Sequence, residues 1–514
     1  MVGVRALWDL FREHIVHVAI VAVCPILAYL AMDHGRKGIL AAIALLALVI
    51  GVYVGVRHPL WLYWGTAVAV GILPFGYFPG VHVPAYLPFA LGAVLAALIH
   101  PTEQTKYSSM EIAVLVLVAA SAVTVMVPGP TLAGLVEFTK WSMATLVTIA
   151  LLRLSREHLA RFGRIFVYTA AANALFGIFI VTLDPLQTSF RYLRIFGYGT
   201  GGDPNKELGR FFYTNGGASS RIRLGGTWID PNAAGVCIFI ALAMGVVLFE
   251  GWRRYTISAI FLIAIPLTLS RSAIATVIFG FLLVLIFHTM RARTRIIGLI
   301  ALLAIPAVAL TVPSIRTRIF STLSSTDPGA TDRASSLRDF PAVMSGHWLF
   351  GLGWGRPEFK NGALAFQLNY VSNAPLLTVY RGGLIAGIPF VAVLIVGVIM
   401  GYRAMRSPSF GAAAYGGLFV SACFVAFQLD HPVASLPQIT LTFSLFLAFM
   451  VYVDQTRGAP PPVAPHREPE LYPAPRDPAP RDPAPRRDTP TPGSRSVATL
   501  PPPAADDAAA SAQY

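Results

Sequence analysis

Cysteine is nearly absent from this chain, and charge is scarce. The three cysteines, Cys24, Cys237 and Cys423, all fall inside apolar stretches, so no disulfide framework or thiolate metal cluster is expected, only buried, inert thiols. Charged residues make up 12% of the chain against 55% hydrophobic ones, with a mean hydropathy of +0.64. That balance excludes a string of soluble domains, although 514 residues could hold several. No cleavable leader is expected either. The start M-V-G-V-R-A-L-W-D-L-F-R-E-H leads to no small-residue cleavage site after the first apolar run, and residues 1–16 read as a short amphipathic cytoplasmic lead-in. The net charge is +14, yet the basic residues are scattered between apolar runs and in a Pro-rich tail, so nucleic acid is not an expected partner.

Long hydrophobic runs fill the rest. About fourteen of bilayer-crossing length recur between residues 17 and 456, the earlier ones centred near 24, 47, 68, 92, 119, 146 and 173 and the later ones near 240, 263, 281, 305, 391, 419 and 445. The expected fold is all-α: a polytopic integral membrane protein of about 12–14 transmembrane helices. Arg153, Arg156, Arg161 and Arg164, then Arg253 and Arg254, then Arg291, Arg293 and Arg295, then Arg403 and Arg406 all fall on one side of such a bundle. The positive-inside tendency makes that side cytoplasmic, together with both termini, in a plasma (inner) membrane.

Two long connections, 184–230 and 314–373, then face outward. Each holds six Lys/Arg against four Asp/Glu, the reverse of the tendency. A bound anionic ligand would account for this, and so would pairing of each arginine with a nearby carboxylate. The first loop closes with R-I-R-L-G-G-T-W-I-D-P-N-A-A-G (Arg221–Gly235), in which Asp230-Pro231-Asn232 reads as a helix start. Arg221 and Arg223 just before a helix N-terminus set cation against dipole, a conflict that an anion between them would remove. In P-L-T-L-S-R-S-A (Pro266–Ala273), Arg271 lies either in a tight outer turn between two spans or within the membrane, where an ionisable group marks function.

The stretch Ser336–Gly387 concentrates Arg338, Asp339, His347, Arg356, Glu358, Lys360, Asn369, Asn373 and Arg381 amid apolar helix. Its punctuation G-H-W-L-F-G-L-G-W-G (Gly346–Gly355) predicts a folded cap rather than a loose connector. If Arg221, Arg223, Arg271 and Arg338 converge, they form a pocket for phosphate or pyrophosphate, which guanidinium forks bind bidentately.

G-G-T-W-I-D-P-N-A-A-G, L-T-L-S-R-S-A, L-R-D-F-P-A-V-M…W-L-F-G-L-G-W-G and N-A-P-L-L-T-V-Y-R-G-G-L-I-A-G, in that order over roughly residues 185–400, resemble the O-antigen ligase and polymerase superfamily. The resemblance implies a membrane glycosyltransferase of the outer face. Its donor would be a polyprenyl-pyrophosphate-linked glycan, and its acceptor a glycan, a lipid or cell-wall material. It implies an inverting, metal-independent reaction with no cofactor, arginines on the pyrophosphate, and a histidine near the second outer loop. This chain departs there, with Ser372-Asn373 where ligases commonly have His-Asn. The base then comes from His431, Asp430, Asp339 or His347, or the chain is a polymerase-like branch with different chemistry. The candidate catalytic groups are His431, Asp339 and Asn373. The candidate substrate-binding groups are Arg221, Arg223, Arg271, Arg338 and Arg381, with Asn373 and Arg381 toward the acceptor. A flippase or exporter of the same lipid-linked sugars is the alternative from another class. Residues 457–514 repeat P-A-P-R-D and predict a disordered, partly polyproline tail, a solvated spacer that could touch lipid headgroups or a cytoplasmic partner.

Overall fold

A computed structural model describes residues 23–26, 28–29, 35–78, 83–100, 106–127, 129–184, 187–198, 222–311, 328–356, 373–428 and 436–457. The expected lead-in and tail, about half of each long loop, and Arg221, Ser372, Asp430 and His431 lie outside the described residues. The chain divides into a unit over Met1–Ala459 and a second over Pro460–Tyr514. All described residues belong to the first.

The helices are α1 (Gly35–Arg57), α2 (Pro59–Ile72), α3 (Tyr86–Ile99), α4 (Ser109–Met126), α5 (Leu132–Leu152), α6 (Arg156–Leu183), α7 (Pro231–Leu248), α8 (Gly251–Leu267), α9 (Arg271–Phe287), α10 (Ala292–Thr311), α11 (Pro328–Val343), α12 (Ala374–Met405), α13 (Phe410–Gln428) and α14 (Pro437–Thr456). Among the described residues there is no β-strand, only an isolated bridge between Tyr77 and Pro84. This is a multi-pass, all-α membrane protein. Seven of the helices are long and apolar enough to cross a bilayer, or up to eight spans if the pair Ala41–Arg57 and Pro59–Ile72, bent by 117°, is one broken span. The count is below the sequence expectation because several of its apolar runs form helices too short for the criterion, among them Tyr86–Ile99 and Arg271–Phe287.

The core forms around α7, which is buried almost throughout, with α13 and α14 mostly buried beside it. Small residues set the close crossings. A Cβ on Gly280 of α9 would meet the Leu418 Cα at 2.9 Å, and one on Gly417 of α13 would meet the Gly280 carbonyl at 2.5 Å. The Ser421 hydroxyl donates to the Thr276 carbonyl at 2.8 Å, which fixes α9 and α13 as an antiparallel pair. Removing side chains at such crossings lets backbones approach where lipid offers no hydrophobic drive. At one end of the bundle, Ser108 and Glu111 form a capping box on α4, and Arg153 at the end of α5 pairs with Glu111. His288 after α9 and the Met405 carbonyl of α12 meet at that same end. The opposite end carries the long loops and is called the loop end below.

At the loop end a buried polar brace ties three segments together. Asn173 of α6 donates to the Gly71 carbonyl at 3.1 Å and accepts from the Thr227 N–H at 3.0 Å. The Tyr198 hydroxyl donates to the Thr227 carbonyl at 3.0 Å. This brace holds the turn Gly226–Trp228 against α6 directly before α7.

Candidate functional site

The site is assembled where α7, α8 and α9 meet. Asp230 caps α7 as its sequence predicts, with its carboxylate accepting from the Asn232 and Ala233 N–H groups at 3.2 and 3.1 Å. Pro231 fills the first turn. Burial pushes the Asp230 carboxyl up from its ordinary value, and Arg223 and the two N–H donors oppose that shift.

Arg223 donates from Nε to the Thr268 carbonyl at 2.9 Å and from Nη2 to the Asn232 side-chain oxygen at 3.0 Å. Thr268 is the cap residue at the C-terminal end of α8, where a helix dipole favours a cation. The conflict between Arg223 and the α7 N-terminus is therefore resolved inside the protein, by a second helix end of opposite polarity. No anion is required to explain where this arginine sits.

The Arg271 alternatives are decided in favour of a turn. α8 ends at Leu267, Thr268–Ser270 reverse the chain, and Arg271 opens α9, half-buried. The reversal uses Leu269 at φ +50, a left-handed position held without glycine, while the Thr268 hydroxyl accepts from the Ser270 N–H at 3.1 Å. Ile229 before Asp230 also has a positive φ, +63. Two of the three non-glycine residues at positive φ among the described residues thus flank this cluster. Arg223 and Arg271 are brought together, one bonded to the turn from which the other emerges.

The Gly-rich cap is folded, and what it does was not visible beforehand. α12 is broken at Gly382 and Gly383, the latter at φ +61 and ψ −167. The cap supplies the missing partners. The Leu352 and Gly353 N–H groups donate to the Tyr380 and Arg381 carbonyls at 2.8 and 3.1 Å. The Leu384 and Ile385 N–H groups donate to the Trp348 and Leu349 carbonyls at 2.8 and 3.4 Å. These four bonds pair backbone groups that the break frees, as a low-dielectric setting demands. Gly351 makes the approach possible, since a Cβ there would meet the Gly383 nitrogen at 2.5 Å. Phe340 and Met344 anchor the cap against Leu377, Val379 and Tyr380 of the first half of α12.

Arg381 lies in the first half of α12, directly before the break. It is buried, with its guanidinium 5.2 Å from the Trp354 ring, which packs on Trp141 of α5 and donates to the Thr124 hydroxyl at 3.2 Å. Glu137 of α5 is close enough to act on its charge. Asn373 is both a cap and a tie: its side-chain oxygen accepts from the Leu376 N–H at 3.0 Å, and its amide donates to the Phe427 carbonyl at the end of α13. Both the oxygen and the nitrogen of its amide are thus engaged with backbone groups. Arg338 and Asp339 are exposed on α11, and His347 is exposed in the cap. Of the four arginines expected to converge, Arg223 and Arg271 sit at the same turn and Arg338 on α11, while Arg221, like His431, lies outside the described residues. Among the described residues, no group of three His, Cys, Asp or Glu is placed to hold a metal ion.

Two participants were missed. Asn232 stood in the D-P-N motif but read only as helix start, and Trp354 stood in G-L-G-W-G but read only as punctuation. The Thr268 carbonyl left no sequence signal at all.

A family model described as O-antigen ligase matches residues 256–375, which take in the end of α8, Arg271, the cap and Asn373. The resemblance to the O-antigen ligase and polymerase superfamily is supported over that segment. No curated relative matches the chain.

Proposed function

We propose that the chain ligates or polymerises glycan from a polyprenyl-pyrophosphate-linked donor. It would act at the loop end of the bundle, on the outer face of the cytoplasmic membrane, with both termini inside. The observation that carries this reading is the gathering of Arg223 and Arg271 around Thr268, at the end of a membrane bundle where a lipid-borne phosphate would lie. In this reading the two guanidiniums, with Arg338 and Arg221, grip the pyrophosphate. An acceptor hydroxyl attacks the anomeric carbon from the face opposite the pyrophosphate, so the configuration inverts. The sugar–phosphate bond breaks, its electron pair stays on the polyprenyl pyrophosphate, and the arginines stabilise that charge without a metal ion. The hydroxyl proton passes to a base, for which His431, Asp430, Asp339 and His347 are the candidates. Asn373 contributes by holding the Phe427 end of α13, from which the chain runs to Asp430 and His431. Arg381 shapes the acceptor side. The acceptor is a glycan, a lipid or cell-wall material, and the Pro-rich tail is free to meet a cytoplasmic partner.

Transporters place broken helices at mid-membrane depth. Here Leu384–Met405, beyond the break, is about 22 residues or ~33 Å long, enough to cross the hydrocarbon layer alone. The break therefore lies at one end of the bundle, which favours surface chemistry over passage.

The test is a transfer assay with the full-length protein in detergent, supplied with polyprenyl-pyrophosphate glycan, candidate acceptors and EDTA. Lipid pyrophosphate release with a lengthened or transferred glycan is expected, and it should be lost in Arg271→Ala and in Arg338→Ala at normal membrane accumulation. Wild-type turnover in both variants would overturn the arginine roles. Donor crossing liposome membranes without turnover would overturn the enzyme reading.

A further inference from the structure

The second half of α12 gives a ruler for the membrane. From Leu384 to Met405 it measures about 33 Å, against a hydrocarbon thickness of roughly 30 Å. Leu384, Ile388, Ile395 and Ile399 are exposed along it at helical spacing, a stripe that faces lipid. The stripe ends at Tyr402, with Arg406 stacked at 5.9 Å from its ring, the pairing of aromatic and cation found at membrane–water boundaries. With Tyr402 at one boundary, Leu384 lies ~27 Å along the helix, close to the other.

The cap is bonded at that second boundary. The Trp348 and Leu349 carbonyls take the Leu384 and Ile385 N–H groups, so both residues sit beside the first turn of the lipid-facing stripe. The cap's interior is Phe340 and Met344; the Trp348 ring meets Phe340 edge-on at 5.9 Å and leaves the rest of its surface outward, and Leu349 lies outside that cluster. Trp348 is 41% exposed and Leu349 56%, comparable with Leu384 at 40% and Ile388 at 65%. Leu337 and Val343 of α11 are exposed as well. An apolar surface on a loop, continuous with the lipid face of a spanning helix and tipped by tryptophan, matches the membrane interface in chemistry and in depth.

We propose that the cap Phe340–Trp354 is a membrane-seated element, with Trp348 and Leu349 inserted into the lipid interface beside Leu384 and Ile388. The bilayer is the partner that covers this patch, and the loop is held at the surface from two sides, by backbone bonds to α12 and by lipid. The inference needs no catalytic activity and stands apart from the transfer reading.

The test is spin labelling of the full-length protein in lipid nanodiscs. A nitroxide is placed at Leu349→Cys, with Ile388→Cys as the lipid-facing reference, in a Cys24→Ser background, Cys237 and Cys423 being buried. At position 349, collisions with oxygen should exceed those with a water-soluble nickel chelate several-fold, as at position 388. Chelate collisions equal to or above those of oxygen would mean the cap faces water, and would overturn the proposal. Low collision with both, with an immobilised nitroxide, would mean that protein covers the patch, and would overturn it equally. As a second measurement, lipids brominated near the headgroup should quench the wild-type tryptophan emission more than that of Trp348→Phe. Equal quenching would count against insertion.

Discussion

The Nε of Arg223 lies 2.9 Å from the Thr268 carbonyl, so the segment entering α7 is pinned to the turn between α8 and α9. The same guanidinium reaches the Asn232 side chain. A planar fork meets both acceptors with two fixed, divergent N–H groups, which a flexible ammonium does less well. Arg223→Lys retains the charge and loses the fork. Transfer should fall by about 10²-fold, the order seen when one charge-stabilising donor is lost, while the protein accumulates normally. Asn232→Ala should weaken donor binding through Arg223. An unchanged apparent affinity in that variant would show that Asn232 only starts the helix.

Gly383 adopts φ +61 and ψ −167 with the Leu349 carbonyl directly over the place a Cβ would occupy. Gly383→Ala therefore combines backbone strain with a clash and should lower stability by at least ~2 kcal/mol. A detergent melt compared with Gly346→Ala, where φ is +77 but nothing lies within 4 Å, separates the clash from the strain. The Gly346 variant should be the milder.

For Asn373, cap and tie can be taken apart. Asn373→Ala loses both and should cost the cap's usual ~0.5–2 kcal/mol together with the bond to Phe427. Asn373→Asp restores the cap and sets a carboxylate against the Phe427 carbonyl. If the tie is what matters for transfer, activity falls in both variants while melting recovers partly in the aspartate form. Equal activity of the aspartate variant and the wild type would leave Asn373 a cap alone.

Asp184 gives the chain an acid-sensitive contact at the start of the first long loop. Burial pushes its carboxyl up, but hydrogen bonds from Ser189 and Thr188 outweigh this and hold it at about 2. Its folded value lies below the unfolded one of about 3.9. The contribution is therefore complete above pH ~4 and is lost as pH falls through about 2. Melting temperatures of wild type and Asp184→Asn should differ at neutral pH and converge below that window. A constant difference across it would exclude titration of Asp184.

Much of this architecture was written in local pattern. Apolar runs near residues 119, 173, 240, 419 and 445 became α4, α6, α7, α13 and α14 because a bilayer leaves the backbone no alternative to helix. Asp230-Pro231-Asn232 became a helix start because capping needs only neighbours in sequence. The Gly346–Gly355 run announced a folded cap because its backbone turns require glycine, and Gly346, Gly351 and Gly353 do take positive φ.

Other features depended on contacts between distant segments. Arg223 looked misplaced beside the α7 N-terminus until the α8 C-terminus was packed against it, and a helix end 45 residues away leaves no mark near residue 223. Arg381 read as one of several loop cations, yet it is buried against Trp354. The break in α12 could be suspected from Gly382-Gly383, but which groups would satisfy the freed carbonyls and amides was a matter of tertiary docking. The sequence by itself determined where helices form and how they begin, since those depend on hydrophobic length and on side chains within a turn of each other. The pairing of arginines with helix ends, and of the cap with the broken span, was decided only by the tertiary structure, because buried polar groups take whichever partners packing brings within reach.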